Sequence, residues 1–219
     1  RDRVAFVLSL GGHGDLPRVL RYLCTGVEPQ LAGDAHAAGG HTVPRPPHDY
    51  GIAIILYGVA DRLVPPEQVV PLRHGIETFL TASQLTLVDR RQAEETFEEA
   101  RRMAARLDEP AATLLRLVNA RDVKTLGPKL LPHAAELGGD PALSPERSPR
   151  PAAPVFLLHG IDDNVIPAVE SRLLSSHLSS GGRAQLLLSG VITHADVDRA
   201  AAAAEVWKLV GFWKDILAY

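Results

Sequence analysis

At 219 residues, 46% hydrophobic and 22% charged, the chain is long enough for one sizeable domain, or a core with an insertion, and has the composition of a folded globular protein. A formal net charge of −3 leaves no basic footprint for nucleic acid, and a single cysteine excludes an internal disulfide. No apolar run approaches the roughly 18 residues that cross a bilayer, so no membrane span is expected.

Arg1-Asp2-Arg3 leads almost at once into a strand, with neither initiator methionine nor signal peptide. The natural start, and with it any localisation signal, is therefore expected upstream, with the cytoplasm as the default location. Val4 to Leu10 is an apolar run of the kind buried in a parallel sheet, ended by Gly11-Gly12-His13-Gly14. That glycine-rich loop lacks the lysine and spacing of a phosphate loop. Asp15 can cap a helix with Pro17 in its first turn and Val19, Leu20, Tyr22 and Leu23 on its apolar side, and Gly26 ends it. Cys24, inside this helix, reads as a small buried hydrophobe.

Residues 27 to 48 are rich in Gly, Ala and Pro and read as an irregular connection. His36, His41 and His48 fall there at a spacing that fits no tight ligand set, so no metal site is expected. Residues 49–137 then read as four helices. The first carries Tyr50, Ala53, Ile54, Tyr57, Ala60 and Leu63, and the second, from Glu67 to Thr81, buries Val70, Leu72, Ile76 and Leu80. The third, Arg90 to Leu107, has a capping pair in Asp89 and Gln92 and a stripe of Ala93, Phe97, Ala100, Ala104 and Leu107. A fourth restarts after Asp108 and Pro110 and runs through Leu115 and Val118. Asp140 to Pro154, with five prolines, reads as an extended return linker.

Pro154 to Pro167 (PVFLLHGIDDNVIP) is the most informative stretch. A strand from Val155 ends at His159-Gly160, an acidic turn follows, and Pro167 opens a helix with Leu173, Leu174 and Leu178 inward. Ala184 to Ser189 is a further strand, whose exit loop carries His194. Working groups in open α/β sheets sit at the carboxyl ends of strands, so Asp163 and His194 on neighbouring strands would be held side by side. In the last helix, from about Val197 to Leu217, the spacing of Val206, Val210, Trp213 and Leu217 predicts the face that packs on the sheet, with Trp207 and Trp213 in the core.

His159-Gly160-Ile161-Asp162-Asp163-Asn164-Val165-Ile166-Pro167 resembles the acid loop H-G-x-x-D-x-x-V-P of α/β-hydrolases. The likeness is to the dienelactone-hydrolase and prolyl-oligopeptidase-like esterases and peptidases. It covers residues 154–219 and, more weakly, 1–26. It implies the C-terminal part of an α/β-hydrolase sheet, about three parallel strands with flanking helices. The core would be residues 1–30 and 150–219, and residues 31–149 a helical lid insertion with its flanking loops. It places the triad acid on Asp163, with Asp162 as the fallback, and the histidine on His194, which leaves His159 as a turn residue.

Ser9-Leu10-Gly11-Gly12 resembles the second half of a G-x-S-x-G-G nucleophile elbow, yet Val7 stands where the elbow has glycine, and the helix starts several residues late. The reading is therefore that Val4 to Leu10 follows the elbow strand, that the nucleophile lies upstream of Arg1, and that this chain alone is inactive with an exposed sheet edge. The resemblance then implies hydrolysis of an ester, thioester or amide, on a small-molecule or peptide acyl substrate, by side chains and backbone donors with no cofactor. His13, at the end of a strand, is a weak candidate for lining the substrate pocket. A non-catalytic binding or interaction module stays open beside the enzyme, as does a homodimer formed through the helical block.

Overall fold

The computed structural model describes residues 4–31, 46–179, 184–191 and 199–219. The chain is α/β, with a small parallel sheet and eight α-helices among the described residues. It divides into two units, one comprising Arg1–Val19, Glu28–Arg45 and Gly138–Tyr219, the other Leu20–Val27 and Pro46–Leu137.

The first unit holds strands β1 (Val7–Leu10), β2 (Val155–Gly160) and β3 (Ala184–Ser189) in the order β1-β2-β3, all parallel. Its helices are the start of α1 (Leu16–Thr25), then α7 (Val169–Ser179) and α8 (Arg199–Leu217). β2 is central, and all six of its residues are buried. Alternation along the strand sends Val155 and Leu157 to Leu174 and Leu178 of α7, with Ala184 and Leu186 beside them. Phe156 and Leu158 point the other way, to Phe212 and Ile216 of α8, with Phe6, Leu8, Leu187 and Leu209 around them. Phe156 is the hub of that layer, meeting Phe6, Phe212 and Tyr219 edge to face with ring centroids 6.1, 5.7 and 5.8 Å away.

The packing of α8 corrects the expectation for that helix. Leu209, Phe212 and Ile216 face the sheet, whereas Val206, Val210, Trp213 and Leu217 are 41 to 83% exposed and Trp207 is 74% exposed. Both sets recur at helical spacing, so periodicity alone could not choose between them. The segment expected as an extended linker also contains two 3-10 turns, Pro141–Leu143 and Pro145–Arg147. At the outer edge of β1, Val4, Val7 and Leu10 are exposed.

The second unit is helical: the remainder of α1 with α2 (Asp49–Leu63), α3 (Pro66–Leu85), α4 (Arg90–Ala104), α5 (Ala111–Asn119) and α6 (Val123–Leu137). Residues 49–137 thus hold five helices where four were expected. The one missed is α6, because Gly127, Pro128 and Pro132 interrupt its pattern. α4 follows its sequence signature, with Asp89 Oδ1 accepting from the Gln92 N–H and Ala93, Phe97, Ala100 and Ala104 buried. α2 and α3 depart from theirs. Ala53, Ala60, Leu72 and Ile76 are buried as expected, but Ile54 and Val70 are exposed, and Ile52, Ile55, Leu56 and Val59 of α2 and Val69 and Phe79 of α3 are buried in addition. α2 is wrapped on more than one side, so a single stripe does not describe it.

Gly127 lets α6 touch α1: a Cβ built there would lie 1.8 Å from the Cys24 carbonyl oxygen. Backbone cannot yield as a flexible side chain does. Gly127→Ala is therefore expected to destabilise the helical unit by about 1–3 kcal/mol. Gly211→Ala in α8, where a Cβ meets open space, should be neutral or stabilising by roughly 0.5–1 kcal/mol. Urea unfolding followed by helical circular dichroism distinguishes the two.

Candidate functional site

The carboxyl end of β2 gathers most of the polar burial in the first unit. Gly160 pairs with Ser189, so the turn after β2 and the loop after β3 leave the same edge of the sheet. The ladder continues one bond further, from the Ile161 N–H to the Ser189 carbonyl, 3.1 Å. Asp163 then folds the chain on itself. Its Oδ1 accepts from the N–H groups of Val165 (2.8 Å) and Ile166 (3.0 Å), an Asx-type turn that closes three residues before α7 begins. Asp163 thus organises the acid turn and does not cap the helix.

His159 is the second member. It lies inside the strand, fully buried, with Nε2 2.8 Å from the Ile166 carbonyl oxygen and Nδ1 2.6 Å from Ser171 Oγ. A carbonyl can only accept, so the network assigns the proton to Nε2 and leaves Nδ1 to accept from the Ser171 hydroxyl. The Gly12 carbonyl, 3.2 Å from the same hydroxyl, is the longer alternative for that proton. His159, read from the sequence as a turn residue, lies within β2 itself and reaches the turn through its ring.

His159 Nε2 is also 3.6 Å from Asp163 Oδ2. Burial alone would push the Asp163 carboxyl up. The His159 ring and the N–H groups of Ile166 and Val165 outweigh that and hold it below the usual carboxylate range. Beside this oxygen, Gly11 sits at φ +59, where a side chain would be strained, with its Cβ position in van der Waals contact at 3.8 Å.

Ser171, His159 and Asp163 make a serine–histidine–acid series, yet not an acylation site. Ser171 is 2% and His159 0% exposed, so no acyl group reaches the hydroxyl. Ser9 lies within β1 in register with Leu157, where its Oγ occupies the space a Gly12 side chain would need. α1 starts only at Leu16, so the tight strand-to-helix turn of an elbow does not occur at Ser9. Cys24 is buried in the helical unit, and burial pushes its thiol up to about 11, away from a reactive thiolate.

An ion cluster anchors the glycine loop to α7. The Arg18 guanidinium forks onto Glu170 (Nε to Oε1 2.6 Å, Nη2 to Oε2 2.9 Å) and onto Glu146 (Nη2 to Oε1 2.7 Å, Nη1 to Oε2 3.0 Å). The Glu170 side chain is completely buried and also accepts from the Gly14 N–H, 3.3 Å. Burial works against the Arg18 charge, but the bonds to Glu146 and Glu170 prevail and raise its pKa above the ordinary value. Asp15 caps α1 through the Arg18 N–H and takes the Arg147 guanidinium at 2.7 Å.

His13, the residue expected to line a pocket, has Nε2 3.0 Å from the Leu143 carbonyl. His194, like His36 and His41, lies outside the described residues. His48 accepts from the Tyr50 N–H at the start of α2 and faces Asp49. Among the described residues no group of three or more His, Cys, Asp or Glu could hold a metal ion, and no helix is long and apolar enough to cross a membrane.

Sequence reasoning placed Asp163 on its turn but missed Ser171, Glu170 and Arg18. The one available signal was polar residues at Glu170 and Ser171, on turns of α7 that otherwise face inward. Comparison with known proteins returns no match: no family model, no curated protein and no solved structure is similar to the chain.

Arg18→Met leaves Glu146 and Glu170 facing each other without their cation and is expected to cost about 3–5 kcal/mol in urea unfolding. Asp163 is held lower in the native state than in the unfolded chain, so its contribution to stability is fully present above about pH 4 and fades as pH falls through its native value. The stability difference between the unmodified chain and Asp163→Asn should therefore be largest near neutrality and shrink toward pH 3.

Proposed function

We propose that the chain is the acid-and-histidine portion of an α/β-hydrolase that cleaves an ester, thioester or amide through an acyl-enzyme. Asp163 is the orienting acid, His194 the base that then returns the proton to the leaving group, and the nucleophile comes from sequence outside residues 1–219. The observation that carries the reading is the placement of Asp163. A carboxylate kept ionised by two backbone N–H groups stands at the carboxyl end of the central strand, beside the end of the strand whose exit loop carries His194. The geometries of Ser9 and Ser171 support a nucleophile from elsewhere. The five helices between α1 and β2 would serve as the lid that shapes access for a small-molecule or peptide acyl group.

One observation favours a second reading, a non-catalytic interaction module: the outward stripe of α8, with Trp207, Val210, Trp213 and Leu217 exposed. The two readings separate in one experiment. Residues 1–219 alone are expected to resist a fluorophosphonate probe and to leave p-nitrophenyl esters at the buffer rate. A protein extended by its upstream coding sequence should label on a serine there, with Asp163→Asn lowering kcat by about 10³–10⁴-fold. Labelling of Ser9 in the 219-residue chain would overturn the assignment of the nucleophile. An extended protein without a reactive serine would overturn the catalytic reading in favour of the module.

A further inference from the structure

A leucine or valine at position 159 would continue the apolar run of β2. A histidine buried there must instead find partners for both ring nitrogens or lose several kcal/mol of hydration. It finds them on two different segments, and one of those segments is the acid turn. The Ile166–Pro167 amide has no N–H, so its carbonyl is the only polar handle by which that end of the turn can be held. His159 Nε2 takes it at 2.8 Å. The N–H of the same residue, Ile166, is bound to Asp163 Oδ1 at 3.0 Å, with Val165 beside it at 2.8 Å. Ile166 is thus gripped on its carbonyl by the core of the sheet and on its N–H by the acid.

We propose that His159 is a positioning residue for Asp163: with its proton placed on Nε2 by the Ile166 carbonyl and its Nδ1 partnered by Ser171, it holds that carbonyl and so keeps closed the turn whose N–H groups orient the Asp163 carboxylate. Ser171 matters because its hydroxyl, 2.6 Å away, is the partner that the buried Nδ1 requires. Its hydroxyl also stands 3.2 Å from the Gly12 carbonyl, next to Gly11, the residue facing Asp163 Oδ2. Two segments therefore meet at one imidazole, the first turn of α7 and the acid turn, and Ser171 links the glycine loop to them. His159 touches neither substrate nor nucleophile in this arrangement. That the orientation serves catalysis rests on the reading of Asp163 as the triad acid, whereas the orientation itself is a property of the folded chain.

The test uses the 219-residue chain and requires no turnover. Ser171→Ala removes one hydroxyl, and His159→Gln keeps an amide N–H for the Ile166 carbonyl while removing the Nδ1 acceptor. Imidazole ¹⁵N spectra of the unmodified chain should show His159 with its proton on Nε2, and in Ser171→Ala the Nδ1 resonance should shift with the loss of its partner. Carboxyl ¹³C titration should move the Asp163 midpoint upward in Ser171→Ala, which leaves the His159 ring present, because the turn that supplies the N–H donors loosens; in His159→Gln the loss of the ring beside Oδ2 adds to the rise. A merely structural histidine would lower the melting temperature of both variants and leave the Asp163 titration of Ser171→Ala in place. An unaltered midpoint, or a proton on Nδ1 in the unmodified chain, overturns the proposal, and Ser171→Ala decides it if His159→Gln does not fold. Failure here leaves the catalytic reading standing, and failure of serine labelling in the extended protein leaves this one standing.

Discussion

Burying a histidine in the central strand of a sheet imposes a requirement that shapes everything near it. His159 has no exposure, and the desolvation of its ring nitrogens must be offset by hydrogen bonds that survive inside the core. The two it makes reach forward along the chain, to Ile166 and Ser171, so the segment that follows β2 is bound to the end of the strand it has just left. Pro167 adds to the constraint by removing an N–H and so limiting which groups can close the turn. The Asp163 carboxylate is orientated as a consequence: once Val165 and Ile166 are folded back, their N–H groups converge on Oδ1.

A second polar requirement sits one turn away and is met differently. Arg18, Glu146 and Glu170 come from α1, a 3-10 turn and α7, and each guanidinium N–H group of Arg18 that faces a carboxylate is used. Such a cluster is a weak source of net stability, since desolvation consumes much of the attraction. Its value lies in geometry, because a bidentate fork tolerates few alternative arrangements of the loops that carry it. The Gly14 N–H on Glu170 extends that constraint into the glycine loop, whose neighbour Gly11 lies against Asp163. Hydrophobic packing sets where α7 lies on the sheet, through Leu174 and Leu178, and the ion cluster sets how its first turn meets the loops.

The opposite face of the sheet is governed by aromatic burial. Phe156 draws Phe212 and Tyr219 toward β2, which commits the Leu209–Phe212–Ile216 face of α8 inward and turns Val206, Val210, Trp213 and Leu217 outward. An exposed apolar stripe of this kind marks a surface where association would bury further area. The same holds for the open edge of β1, where Val4, Val7 and Leu10 are exposed and the residues lack the charges that protect an edge strand.

Local patterns were legible in the amino-acid sequence wherever one physical rule acted alone. The apolar runs of β1, β2 and β3, the Asp15 and Asp89 caps, the stripe of α4, the Gly26 terminus and the burial of Cys24 each follow from neighbours a few residues apart. So does the position of Asp163, which depends on where β2 ends. Tertiary structure decided the rest, because the deciding partners are distant in the chain or equivalent in pattern. Arg18 meets Glu170 across 152 positions, a pairing that no spacing encodes. Two faces of α8 carry the same helical period, and only the shape of the layer around Phe156 selects one. Whether His159 ends a strand or organises a turn depends on which groups the fold brings to its two nitrogens. Periodicity reports that a face can be buried, and only the assembled core determines against what.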